Sequence, residues 1–166
     1  MKKVLLSIDG MTPDQKAFHY AVALCKRIKA ELNIFQIIRP RYYRNYMKKI
    51  QKNALFAKKV MESAMVAATF AEAGEHETAL DIVAEASKEI KHLLAESEKS
   101  GVHCHFSIKS GDPEKEIVDY VNDHRDVILT IYDAFDVNGT VDISEKRSTL
   151  AKIKRNLSVP LVTVHS

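Results

Sequence analysis

Apolar residues fall along this chain in two alternating rhythms. Near-solid apolar runs occupy residues 4–8, 32–38, 127–132 and 161–164, and residues 102–109 alternate apolar with polar positions. Runs of four to eight residues rich in Val and Ile predict strands, and the solid ones predict strands covered on both faces. Between them the spacing stretches to three and four. Phe18, Ala21, Val22, Leu24, Cys25 and Ile28 make one such stripe, and Ile82, Val83, Ala86, Ile90, Leu93 and Leu94 make another over 78–100. Shorter stripes run through Ile117, Val118 and Val121, and through Leu150, Ile153 and Leu157 in a helix over 148–157. Each is the signature of a helix with one buried face.

Punctuation supports these boundaries. Thr12, Pro13 and Gln15 have the spacing of an N-cap, a first-turn proline and a capping-box partner. Gly111-Asp112-Pro113 supplies a turn, a cap and an N1 proline for the helix that follows. The predicted order is βαβ(αα)βαβαβ, in which the first helix of the bracketed pair is an extra insertion at about 42–75 whose stripe runs through Met47, Ile50, Ala54, Ala57, Met61 and Ala64. Such alternation predicts an α/β domain, an open and mostly parallel sheet with helices on both faces. Ligands in such sheets sit outside the carboxyl ends of the strands.

Composition narrows the chemistry. At 166 residues and 46% hydrophobic content, the chain suits one domain spanning 1–166. Its five glycines, at 10, 74, 101, 111 and 139, lie too far apart for a dinucleotide fingerprint or a P-loop. Cys25 and Cys104 make no C-x-x-C pair, no apolar run approaches the ~20 residues of a membrane helix, and no signal-like segment opens the chain. A cytoplasmic location is the expectation.

The formal charge of +3 conceals a segregation. Residues 39–61 hold eight cations, Arg39 through Lys59, and no acid, whereas 62–100 hold nine acids against Lys88, Lys91 and Lys99. With Tyr42, Tyr43 and Tyr46 interleaved, the basic block has a composition that also suits nucleic acid. Pairing with the acidic segment, or docking of a protein partner on 39–61, is the favoured use, and nucleic acid is not expected. His103-Cys104-His105 offers three metal-ligand types, but on a strand the histidines point one way and the cysteine the other. No nucleophile, base and orienting acid can be assembled from spacing, so no catalytic residue and no metal site is assigned.

Val4 to Gly10, the Ser110-Gly111-Asp112-Pro113 turn with Glu116 to Val121, Asp126 to Leu129, and the ending Val159 to Val164 occur in an order that resembles the universal stress protein family. The resemblance implies a Rossmann-like five-stranded parallel sheet of order 3-2-1-4-5, a homodimer formed through Leu161, Val162, Thr163 and Val164, and a stress-response or signalling role. In one branch of that family it implies ATP at the strand ends, held by G-x-x-G, about nine residues, and G-[ST].

Here the stretch from Tyr132 to Thr149 lacks the first two glycines, and Arg147-Ser148 stands where G-[ST] is expected. Asp133, Asp136 and Asp142 add negative charge where a triphosphate needs the opposite. The resemblance therefore points to a member without the usual phosphate loop and without enzymatic activity. A second reading is an adenine-nucleotide binder, for ATP or AMP, with an altered loop and slow ATPase activity. Its candidate ligand residues are Ser7, Asp9, Ile38, Tyr132, Arg147, Ser148 and Thr149. Against this stands the plain reading of Asp9-Gly10 as a turn and of Ser148 or Thr149 as a helix cap.

Overall fold

The computed structural model describes residues 1–10, 13–40, 76–133 and 143–164. The predicted insertion at 42–75, together with Thr12, Asp136, Gly139 and Asp142, lies outside the described residues. The elements run β1 (Lys3–Asp9), α1 (Gln15–Ile28), β2 (Glu31–Ile38), α2 (His76–Lys99), β3 (Cys104–Ser110), α3 (Pro113–Asp123), β4 (Val127–Asp133), α4 (Ile143–Asn156) and β5 (Leu161–Val164). All five strands are parallel, in the order β3-β2-β1-β4-β5. This is the expected sheet. β1 lies at its centre, with Leu6 opposite Ile34 on one side and Ile131 on the other.

The period-two alternation of β1 builds two cores. Val4, Leu6 and Ile8 pack with Phe18, Ala21 and Cys25 of α1 and with Ile90 and Leu93 of α2. Leu5 faces the other way, among Phe35, Ile37 and Tyr132, under Ile117 and Val121 of α3 and Ile153 of α4. Ser7 and Asp9 follow Leu5 at that spacing, and Arg39 follows Phe35 and Ile37. Side chains two residues apart share a face of the sheet, so Asp9 and Arg39 belong to the α3/α4 side.

Two helix starts differ from the sequence reading. Helix α1 is capped by Asp14, whose side chain accepts from the Lys16 N–H, so it begins at Gln15 rather than at Pro13. The tertiary reason is that the Asp14 N–H donates to Asp133 Oδ2 at 2.8 Å, which fixes Asp14 at the end of β4. Helix α4 begins at Ile143, five residues before the expected start at Ser148. Helix α3 starts as expected, with Asp112 as N-cap and Pro113 in the first turn.

At the start of β3 the rings of His103, the residue before the strand, and His105 lie 4.5 Å apart, while Cys104 is partly buried against the α1/α2 core. Burial raises the thiol of Cys104 to about 11 and that of Cys25 to about 12. Among the described residues, no helix is long and apolar enough to cross a membrane, and no three His, Cys, Asp or Glu side chains form a metal cluster.

Candidate functional site

Strand order reverses at β1 and β4, and the end of β1 carries Asp9. Its carboxylate is fully buried. Burying a charge is costly unless donors surround it, and here three hydrogen bonds do so. Arg39, the residue after β2, donates from Nε to Asp9 Oδ1 at 3.0 Å and from Nη2 to Oδ2 at 2.6 Å. The Tyr132 hydroxyl, from β4, donates to Oδ2 at 2.5 Å. The Asp9 backbone carbonyl accepts from Lys146 Nζ at 2.8 Å.

Arg39 does more than pair with Asp9. Nη2 also donates to Thr149 Oγ1 at 2.8 Å, and Nη1 lies 3.1 Å from Glu145 Oε1. One guanidinium thus ties the ends of β1 and β2 to helix α4. Burial pulls the arginine pKa down, but the hydrogen bonds and charge of Asp9 outweigh it, and the guanidinium is held firmly in its charged form. Burial pushes the Tyr132 hydroxyl up, and the neighbouring Asp9 carboxylate pushes it further, so it stays protonated and donates.

Beside this cluster opens a cleft of about 750 Å³, a volume in the range of small-molecule sites. Arg39 and Thr149 form part of its floor, and Asp112, Glu114, Glu145, Ser148 and Lys152 line its walls. Lys152 of α4 reaches Glu114 of α3 at 3.3 Å, a second tie between α4 and the rest of the site.

The sequence candidates separate under this geometry. Asp9, Tyr132 and Thr149 come together, joined by Arg39. Ser148 is exposed and lines the cleft wall, whereas Arg147 is exposed and lies outside that lining. Ser7 is buried and donates to the Ile131 carbonyl at 2.9 Å, a bond within the sheet. Ile38 is buried, and its carbonyl accepts from the Gly111 N–H at 3.1 Å.

Two expectations are corrected, that Ser148 or Thr149 caps the last helix and that Arg39 belongs to a docking surface. Ser148 and Thr149 stand in the second turn of α4, where amides are committed to carbonyls four residues back, so they do not present a helix start to an anion. Arg39, the first cation of the supposed docking surface, is 6% exposed and turned inward. Asp133 is likewise buried and accepts from Asp14. The remaining cations of the basic block, 41–59, lie outside the described residues.

Arg39, Glu145 and Lys146 were missed as site residues, although signals for Arg39 and Lys146 existed. Arg39 extends the alternation of Phe35 and Ile37 by one step. Lys146 precedes Thr149 and Ile153 by three and seven residues, the spacing of one helix face, and all three are buried.

A parallel sheet of this order with helices on both faces defines the doubly wound class of α/β proteins. Within that class the chain matches the model of the universal stress protein family over residues 1–129, and it belongs to this family. Its fold is similar to that of a universal stress protein from Lactobacillus plantarum, at 19% identity and a TM-score of 0.65, covering 99% of this chain and 97% of that one. It is similar also to one from Archaeoglobus fulgidus in complex with dAMP, at 11% identity and a TM-score of 0.57, covering 99% and 100%. A third, from Arabidopsis thaliana with AMP bound, shares 15% identity with a TM-score of 0.52, covering 99% and 91%. At such identities the likeness is one of fold. No curated protein sequence matches the chain.

Proposed function

We propose that this chain is a cytoplasmic stress-response or signalling module, a single domain that works as a homodimer through contacts with other proteins and binds no ATP in the conventional way. The observation that carries the reading is the Asp9–Arg39 pair. The carboxylate at the end of β1 is already saturated from within the chain, and a ligand that needs it must first displace a guanidinium held by four contacts. The early start of α4 adds to this, because it withdraws the helix amides of Ser148 and Thr149 from any phosphate. Strand β5 suits self-pairing, since it bonds to β4 on one side and ends the sheet on the other. The cations of 41–59 would supply the docking surface for a partner.

A second reading keeps adenine-nucleotide binding, with slow ATPase activity. The cleft and the neighbours solved with AMP and dAMP favour it. Titration of the purified chain with ATP and AMP, with and without magnesium, followed by native mass spectrometry, separates the two. No bound nucleotide at millimolar ligand is expected. Sub-millimolar binding that Asp9→Ala abolishes would establish the second reading instead. In light scattering the chain should run as a dimer and Val162→Asp as a monomer, and an unchanged dimer in that variant would place the interface elsewhere.

A further inference from the structure

The acceptors around Arg39 form a site in their own right. A guanidinium is planar and has five N–H donors in a fixed fork. Three of them donate hydrogen bonds here, Nε and one Nη2 hydrogen side by side to Asp9 and the other Nη2 hydrogen to Thr149, and Nη1 forms an ion pair with Glu145 Oε1 at 3.1 Å. These acceptors come from two separate elements, β1 and α4, and Asp9 and Thr149 are held in place independently of Arg39. Tyr132 orients Asp9 Oδ2, Lys146 holds the Asp9 backbone, and Thr149 is 3% exposed on the buried face of α4. Because Arg39 lines the cleft, a shortened side chain at that position would open the floor to solvent.

Charge decides what such an opened floor would accept. With Arg39 shortened, the gap is bordered, among the described residues, by the Asp9 carboxylate, the Glu145 carboxylate where wall meets floor, and the Lys146 ammonium on the Asp9 backbone carbonyl. The walls add Asp112 and Glu114 against Lys152. Among the described residues the balance is negative on floor and walls alike, which repels a phosphate and favours a flat cation.

We propose that the floor of the cleft is a guanidinium socket, occupied in this chain by its own Arg39, and that with the Arg39 side chain removed it takes a free guanidinium cation in preference to a nucleoside phosphate. The tethered arginine competes at an effective concentration of millimolar or more, so the unaltered chain is insensitive to such a cation. The inference goes beyond the signalling reading, and the two fail separately. Nucleotide binding to the unaltered chain overturns that reading, whereas the behaviour of the Arg39 variant toward cations decides this one.

The test is thermal unfolding of the full chain and of Arg39→Ala in millimolar methylguanidinium chloride, sodium chloride or AMP. Arg39→Ala should melt about 10 °C below the unaltered chain, as removal of one partner of a buried pair implies. Methylguanidinium at ten times its dissociation constant should raise that melting point by about 3–6 °C over sodium chloride, leave the unaltered chain unmoved, and act only while Asp9 is present. No rise over sodium chloride, a larger rise with AMP, or a rise that survives Asp9→Asn in the Arg39→Ala background would each overturn the proposal. Should Arg39→Ala fail to fold in buffer, refolding from urea with methylguanidinium or sodium chloride asks the same question. Native circular dichroism recovered only with methylguanidinium supports the socket, and equal outcomes in the two salts overturn it.

Discussion

The energetic coupling between Asp9 and Arg39 is the most direct measure of the site. In Arg39→Met the stem of the side chain is kept and the guanidinium lost, leaving the fully buried Asp9 carboxylate with the Tyr132 hydroxyl as its remaining side-chain donor. Removing one partner of a buried pair costs about 3–5 kcal/mol, because the survivor is stranded out of water. Asp9→Asn is milder, about 2–3 kcal/mol, since the amide oxygen still accepts and Arg39 keeps Thr149 and Glu145. The double variant has no stranded carboxylate at position 9. It should therefore lose less than Arg39→Met alone, which puts the coupling at about 2 kcal/mol or more.

Urea unfolding followed by circular dichroism reads these differences. With a slope of about 2 kcal/mol per molar, a loss of about 4 kcal/mol moves the midpoint down by about 2 M. Two results would refute the reasoning: Arg39→Met within about 1 kcal/mol of the unaltered chain, or a double variant equal to the sum of the singles. Either would mean that the contacts around Asp9 are replaceable by water and that the pair does not close the site.

Three further outcomes follow from single residues. Tyr132→Phe should cost about 2 kcal/mol in the same assay, the value of a hydrogen bond to a charged group, and a cost near zero would mean that Asp9 does not need the hydroxyl. Cys25 and Cys104 hold their protons more tightly folded than unfolded, because burial raises them to about 12 and about 11 from an ordinary 9.0. That stability is complete below pH 9 and is lost as the pH rises toward those values, so the urea midpoint should fall above pH 9 and fall less in Cys25→Ala; an identical slope in that variant would contradict this. Gly10, at φ 137°, has open space around a built Cβ, so Gly10→Ala should cost about 1–3 kcal/mol through backbone strain alone. An unchanged midpoint there would show that the turn relaxes freely.

The sheet was legible because its signal is local. A near-solid apolar run such as 32–38 suits a strand covered on both faces, and it forms one as β2, with seven of its eight residues buried. Helix α3 was equally legible, since its cap, proline and stripe are contiguous. The starts of α1 and α4 were not. Asp14 is chosen over Thr12 by a bond to Asp133, 119 residues away in sequence, and no local pattern carries that information. The face of α4 that carries Lys146 and Thr149 reads as polar in sequence, and it is buried because Asp9 and Arg39 provide partners across the sheet.

The chain's own order of apolar and polar residues therefore determined the elements, their alternation and the position of Asp9 at a strand end, since periodicity and turn chemistry act over a few residues. It determined as well that the glycines of a phosphate loop are missing after β4. Only the tertiary structure decided what stands at that site instead. Arg39 belongs by sequence to a run of cations that would favour solvent, yet the step of two from Ile37 turns it to the face where a buried carboxylate, a tyrosine and a helix meet. A charge goes where its desolvation is offset, and that offset comes from residues brought together by the sheet order, which is a property of the fold and not of any one segment.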